Sequence, residues 1–339
     1  MKRIITMIII MALAMLTVSC GTSTEDDTIK IGMVTDAGGV DDGAFNQSAW
    51  AGLTLASEEL EVEVNYLESQ TEADYATNIE TFIEEDCELI ITVGYMLAEA
   101  TYNAAVAYPD QLFANIDDST CAELDNVLCL MFESAESSYL AGYVAGLETE
   151  SDVVGFVLGM ESTMMNEFGY GYVSGVLDAN SNATVIMANA NSFTDSAIGK
   201  SLASAMVAEG ADIIYHAAGA VGLGVIEVAQ ESGIKAIGVD TDQSSLAEGT
   251  VITSALKRVD IATYEVSKMV LEGTFESGLQ VFDLASEGVG IVEDETLISA
   301  ETFAVISDLK DAIASGNWNV PKTKEEFEAI YGEDVYTLD

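Results

Sequence analysis

Residues 36–50, Asp-Ala-Gly-Gly-Val-Asp-Asp-Gly-Ala-Phe-Asn-Gln-Ser-Ala-Trp, bring the carboxylates of Asp36, Asp41 and Asp42, the ring of Phe45 and the amide of Asn46 into one short stretch. Carboxylates accept hydrogen bonds, an amide donates and accepts, and a phenyl ring offers a stacking face. Together they suit a flat ring with polar edges. Phosphate fits poorly, because the carboxylates repel it and the spacing matches neither G-x-G-x-x-G nor the P-loop pattern. A plainer reading makes Asp41 or Asp42 the cap of the helix that follows. It accounts less well for the adjoining Phe45–Asn46 pair.

Other reactive chemistry is sparse. His216 is the single histidine and stands at the end of an apolar run, where a hydrogen-bonded structural role is expected. No C-x-x-C and no other metal-site spacing occurs, so no metal is expected. No nucleophile–base–orienter set and no cofactor motif appears, which disfavours an enzyme and calls for no cofactor. Beyond Cys20 the cysteines are Cys87, Cys121 and Cys129. In an exported chain Cys121 could join Cys129 across the loop 122–128, leaving Cys87 free, and the sequence leaves open whether it does.

The N-terminus reads as an address. Met1-Lys-Arg3, an apolar run to Val18 and Ser19-Cys20-Gly21 form an export signal over residues 1–19. The run is shorter than the roughly 20 residues a membrane span needs. A cysteine directly after the cleavage point resembles a lipoprotein signal, with Cys20 lipidated and residues 20–27 a flexible tether. The chain of 339 residues carries 11 basic and 58 acidic side chains, a formal charge of −47. Such a surface repels nucleic acid and anionic membranes, so neither is an expected partner, apart from the membrane reached through the lipid. The acidity itself reads as a solvated surface suited to salty surroundings.

The elements that must position the loop follow from periodicity. Apolar runs at 29–34, 63–67, 89–93, 112–116 and 127–132 read as strands, with helices at 49–60, 74–85 and 96–108 between them. The pattern restarts with strands at 153–158, 184–188, 213–215, 236–239 and 251–254 and helices at 166–180, 196–209 and 222–232. Such alternation predicts parallel sheets covered by crossover helices, in two α/β lobes. A helix at 260–271 and a strand at 281–284 are expected to return to the first lobe, and a helix at 300–313 to cover the second. The expected lobes are residues 28–133 with 257–287, and 134–256 with 288–339. Crossings near Glu133, Leu256 and Gly288 then form a hinge beside a cleft that collects the strand-to-helix loops.

Read further, the loop resembles the signature of the basic membrane protein family of solute-binding lipoproteins, which includes purine nucleoside receptors of bacterial ABC importers. The resemblance continues through 91–100 (Ile-Thr-Val-Gly-Tyr-Met-Leu-Ala-Glu-Ala), Phe168-Gly-Tyr-Gly-Tyr172, Ser192-Phe-Thr-Asp195, 211–219, 237–243 and 254–260, in the family's order. It implies the type I periplasmic-binding-protein fold, two Rossmann-like lobes on a three-segment hinge with the ligand in the cleft. It also implies roles. Phe45 would stack on a base, Asn46 would bond the base or sugar edge, and Asp36 would support it. Phe168 or Phe193 would close the opposite face, each with a core role as the alternative. Gly219 would let ligand approach the backbone, and Asp240 would accept from ribose hydroxyls. Lys257 would reach the sugar or balance Asp240. Glu99 stands where family members often carry Asp, which changes the reach of that group toward a purine.

The implied activity is capture of a nucleoside, purine preferred, by a lipid-anchored monomer that delivers it to an ABC permease on the extracytoplasmic face. Riboflavin or another ring or sugar ligand is the alternative within the same class. A ligand-sensing surface lipoprotein without transport is a further one.

Overall fold

In the computed structural model, which describes residues 28–338, the apolar runs form strands because helices cover both of their faces. The signal, Cys20 and the tether lie outside the described residues. In one sheet β1 (Lys30–Thr35), β3 (Leu89–Val93), β4 (Leu112–Ile116) and β5 (Val127–Phe132) are buried almost throughout. The same sheet holds β2 (Glu63–Glu68), whose residues alternate toward solvent as in an edge strand, and β11 (Gly278–Phe282). The order is β11-β5-β4-β3-β1-β2, all parallel.

The second sheet repeats the plan with β6 (Val153–Leu158), β7 (Thr184–Asn189), β8 (Ile213–Ala217), β9 (Lys235–Asp240), β10 (Val251–Lys257) and β12 (Val289–Ile291). Its order is β12-β10-β9-β8-β6-β7, parallel but for β12 against β10. Strand order reverses between β1 and β3 and again between β6 and β8. Ligands of open α/β sheets lie at the carboxyl ends of strands at such reversals. The chain passes to the second sheet after β5, returns after β10, and leaves again after β11.

The helices are α1 (Phe45–Leu60), α2 (Tyr75–Glu84), α3 (Ala98–Ala107), α4 (Ser134–Glu148), α5 (Met165–Ala179), α6 (Ser196–Ala208), α7 (Val221–Ser232), α8 (Val259–Glu272), α9 (Ala300–Ala314) and α10 (Lys324–Tyr331). Among the described residues no helix is long and apolar enough to cross a membrane. α8 lies against α1, where Thr263 donates to the Ala49 carbonyl (3.0 Å).

Three elements were not foreshadowed by the pattern. α4 is wedged between the second sheet and α5 and is buried on nearly every side, so it has no apolar stripe for periodicity to detect. Its backbone touches α5 closely: a Cβ at Gly142 would lie 2.0 Å from the Tyr172 carbonyl oxygen, and one at Gly175 would lie 2.0 Å from that of Tyr139. β12 and α10 are too short to show a period.

The Cys121–Cys129 bridge, which the sequence leaves open, is absent: Cys87, Cys121 and Cys129 are all free and buried. The Cys121 sulfur faces the Ala98 carbonyl (3.8 Å), and burial pushes the Cys129 thiol up to about 12 and the Cys87 thiol up to about 11. Thiols held in their neutral form within an apolar core are poor partners for oxidation.

Candidate functional site

The loops that leave the two sheets at their carboxyl edges enclose a cavity of about 590 Å³, its open mouth included. From the first lobe it is lined by Asp36, Gly38, Asp42, Phe45 and Asn46 after β1, by Gly94, Tyr95 and Met96 after β3, and by Asp117 after β4. The second lobe contributes Met164, Met165 and Phe168 after β6, Phe193 after β7, Ala217, Ala218 and Gly219 at the end of β8, and Val239 and Asp240 at the end of β9. Lys257, the last residue of β10, completes it.

The first loop is folded by its own carboxylates. Asp42 accepts the backbone N–H groups of Ala44, Asn46 and Gln47 (2.9, 2.9 and 3.1 Å), so it caps α1 as the plainer reading allowed. This cap starts the helix at Phe45, ahead of the expected Ala49. Asp36 accepts from the Gly38 N–H (2.9 Å) and from Asn46 Nδ2 (2.9 Å), and Nδ2 also reaches Asp42 (3.2 Å). Only an NH2 group can satisfy two carboxylates, which fixes the direction of the Asn46 amide. Its Oδ1 is left buried and without a partner. Burial lifts the Asp36 and Asp42 carboxyls above the usual carboxylate range, against the pull of these hydrogen bonds.

Across the cavity, β4 and β9 end alike. Asp117 follows Ile116 and Asp240 follows Val239, each with left-handed backbone, φ 69° and 65°. Both carboxyls are almost fully buried. Lys257 forms its ion pair with Asp117 and not with Asp240. The Lys257 ammonium also sits 4.8 Å from the centre of the Phe45 ring, 5.2 Å from that of Phe132 and 5.5 Å from that of Phe168. Such contacts contribute about 0.5–2 kcal/mol each. Asp240 has no hydrogen-bonded cation. Burial, with Asp42 and Asp117 nearby, pushes its carboxyl up to about 7 in spite of Lys257.

Of the residues named from sequence, Asp36, Phe45, Asn46, Phe168, Phe193, Gly219, Asp240 and Lys257 line this one cavity. Glu99 does not. It lies on α3, exposed, in an open groove with Glu72, Tyr102 and Glu161 that shares Tyr95 and Met96 with the cavity. Sequence reasoning missed Asp117, Tyr95, Met96, Met164 and Met165. Asp117 had a readable signal, since Ile116-Asp117 and Val239-Asp240 close corresponding strands of the two halves. The methionines had none.

Comparison with known proteins follows the geometry. The family described as ABC transporter substrate-binding protein PnrA-like matches residues 29–324. The chain is 36% identical over 335 residues to the CD4+ T-cell-stimulating antigen of Listeria monocytogenes serovar 1/2a, covering 90% of this chain and 94% of that one. It is 33% identical over 323 residues to the ABC transporter nucleoside-binding protein BmpA of Lactococcus lactis subsp. cremoris, covering 88% and 89%. Among solved structures, an ABC transporter solute-binding protein from Aeropyrum pernix K1 superimposes with a TM-score of 0.82 at 27% identity, over 90% of this chain and 97% of that chain.

Proposed function

The chain belongs to the PnrA-like family of ABC transporter substrate-binding proteins, whose members bind solutes and are not enzymes, and on that premise we propose that this protein captures a nucleoside, purine preferred, in its interlobe cleft. The observation that carries the reading is Asn46. Two carboxylates hold its amide so that the carbonyl alone is free, buried beside the Phe45 ring. A ligand that satisfies it must present a hydrogen-bond donor, as an N–H at the edge of a purine base does. Stacking on Phe45 adds about 1–3 kcal/mol by analogy with base–aromatic contacts elsewhere. Asp240, buried and without a hydrogen-bonded cation, suits the paired hydroxyls of a ribose, because one carboxylate accepts two donors.

The name of the Lactococcus relative, a nucleoside-binding protein, supports the same class. Delivery to an ABC permease follows from the family's role. Export, anchoring through lipid on Cys20 and a monomeric state complete the proposal. The methionines at 96, 164 and 165 favour a second reading: flexible thioether side chains make an adaptable wall, which admits a larger ring such as riboflavin.

The test is thermal. A ligand that binds only the folded state raises stability by RT ln(1+[L]/Kd), about 4 kcal/mol at a thousandfold excess over Kd. Protein stripped of bound ligand should melt higher with inosine, guanosine or adenosine and unchanged with free ribose or amino acids. A flat response to every nucleoside with a rise for riboflavin would replace the first reading by the second.

A further inference from the structure

Gln243, beyond β9, lies outside the set of residues that line the cavity, yet it spans the cleft. Its Nε2 donates to the Gly43 carbonyl of the first lobe at 2.9 Å. Gly43 belongs to the loop that carries Asp42, Phe45 and Asn46. At the same contact the Leu223 side chain of α7 comes so close that a Cβ at Gly43 would lie 3.0 Å from it. At Gly43, therefore, the second lobe meets the first through both a hydrogen bond and an apolar contact.

The direction of the Gln243 amide is set from behind. Its Oε1 accepts the Val239 N–H (3.0 Å) and faces His216 Nε2 (3.0 Å), while its own backbone N–H goes to Ser254 Oγ (3.1 Å). A backbone N–H only donates, so the oxygen must face Val239 and the NH2 must face the other lobe. His216 Nε2 then carries the ring proton. The opposite nitrogen, Nδ1, is then an unprotonated acceptor, buried without a partner. Burial holds the imidazole down to about 4, so the ring stays neutral at ordinary pH. Room is reserved for both side chains: a Cβ at Gly222 would lie 2.0 Å from the His216 ring, and one at Gly238 would lie 2.6 Å from Gln243 Oε1.

We propose that Gln243 is the latch of the closed cleft, a positioning residue that pins the ligand loop through Gly43, with His216 holding its amide in the latching direction. Lobe separation on the hinge must break this bond, because its two ends lie on different lobes. Opening leaves His216, Val239 and Ser254 bound to Gln243 and releases Gly43 alone. The latch therefore acts on how long the cleft stays shut more than on how the ligand is first met.

The proposal rests on reading the cleft as the ligand site, and the experiment separates the two. Gln243→Glu keeps acceptors for Val239 and His216 but, ionised, turns a second acceptor toward the Gly43 carbonyl. Gln243→Met removes the donor at similar length. Hydrogen exchange of the full-length chain, followed by mass spectrometry without ligand, should show residues 38–48 exchanging faster in both variants than in the wild type. With inosine as probe, stopped-flow dissociation should be roughly threefold to tenfold faster, the loss of about one hydrogen bond, with the association rate nearly unchanged. His216→Phe, which deletes the donor behind the latch, should fall between. If inosine does not bind, the exchange arm still decides, and the nucleoside reading alone is lost. Equal exchange and equal dissociation in wild type and both variants would overturn the latch, as would a lowered melting temperature with no kinetic change.

Discussion

Asp117 and Lys257, 140 residues apart in the chain, form a buried ion pair at the closed end of the cleft. The pair crosses from the end of a first-lobe strand to the last residue of the second lobe's β10. Buried pairs are costly to break by removing one partner, by about 3–5 kcal/mol. With its ammonium committed to Asp117, Lys257 leaves Asp240 as the carboxylate with room for a ligand's donors.

Asp240→Ala should weaken nucleoside binding at least about tenfold, because hydrogen bonds to charged groups contribute roughly 1.5–3 kcal/mol each. Asp240→Asn should fall between that variant and the wild type. The loss should shrink for 2′,3′-dideoxynucleosides, which lack the donors, whereas Phe45→Ala should weaken both ligand types alike. Isothermal titration checks this. Equal losses for Asp240→Ala on both ligand types would remove the ribose assignment.

The ligand-free protein should also respond to pH through Asp240. Its folded pKa, about 7, lies above the ordinary 3.8 because the site is buried and shared with Asp42 and Asp117. A carboxyl raised in this way contributes stability that is complete below about 3.8 and is lost as pH rises through about 7. Glu167, also pushed by burial to about 7, adds to the same slope, while His216, held down to about 4, opposes it between about 4 and 6.5. Asp240→Asn removes the Asp240 share. Its melting temperature relative to wild type should therefore rise between pH 5 and pH 8, and a constant difference across that range would contradict the assignment.

The α4–α5 contact should tolerate no added methyl. Gly175→Ala places a Cβ against the Tyr139 carbonyl, an overpacking that costs about 1–3 kcal/mol or more. Because α5 carries Phe168 into the cavity, ligand affinity should fall together with the melting temperature. An unchanged melting curve would show that the helices part without cost.

Salt should stabilise the fold. Every Lys and Arg among the described residues already meets a carboxylate or a carbonyl oxygen, so most of the 58 acidic side chains have no cation beside them. Raising NaCl from about 0.1 to 1 M shortens the screening length from about 10 to 3 Å. The melting temperature should climb over that range. A fall would mean that the ion pairs, and not the excess charge, dominate.

Anchoring is tested at the N-terminus. Labelled fatty acid supplied to a bacterial host should appear on the wild-type chain and be lost in Cys20→Ala. Labelling that survives the substitution would place the lipid elsewhere.

Periodicity and turn chemistry by themselves determined the alternation of strands and helices, the doubling of that pattern, and the position of the loop with Asp36, Phe45 and Asn46. These are local properties: a strand covered on both faces is an apolar run, and a helix start declares itself through a capping Asp. The strand-then-Asp endings at Asp117 and Asp240 were present in the sequence too, although only Asp240 was picked out. Tertiary structure alone decided the rest. It paired Lys257 with Asp117, left the Asn46 carbonyl buried without a partner, set Glu99 in the groove beside the cavity, left Cys121 and Cys129 unjoined, and set Gln243 against Gly43. It also decided α4, whose burial on all sides erases the stripe that marks a helix. Each of these depends on partners brought together from distant parts of the chain, and the energy of such a contact is a property of the packed pair, which neither residue's neighbours in sequence encode.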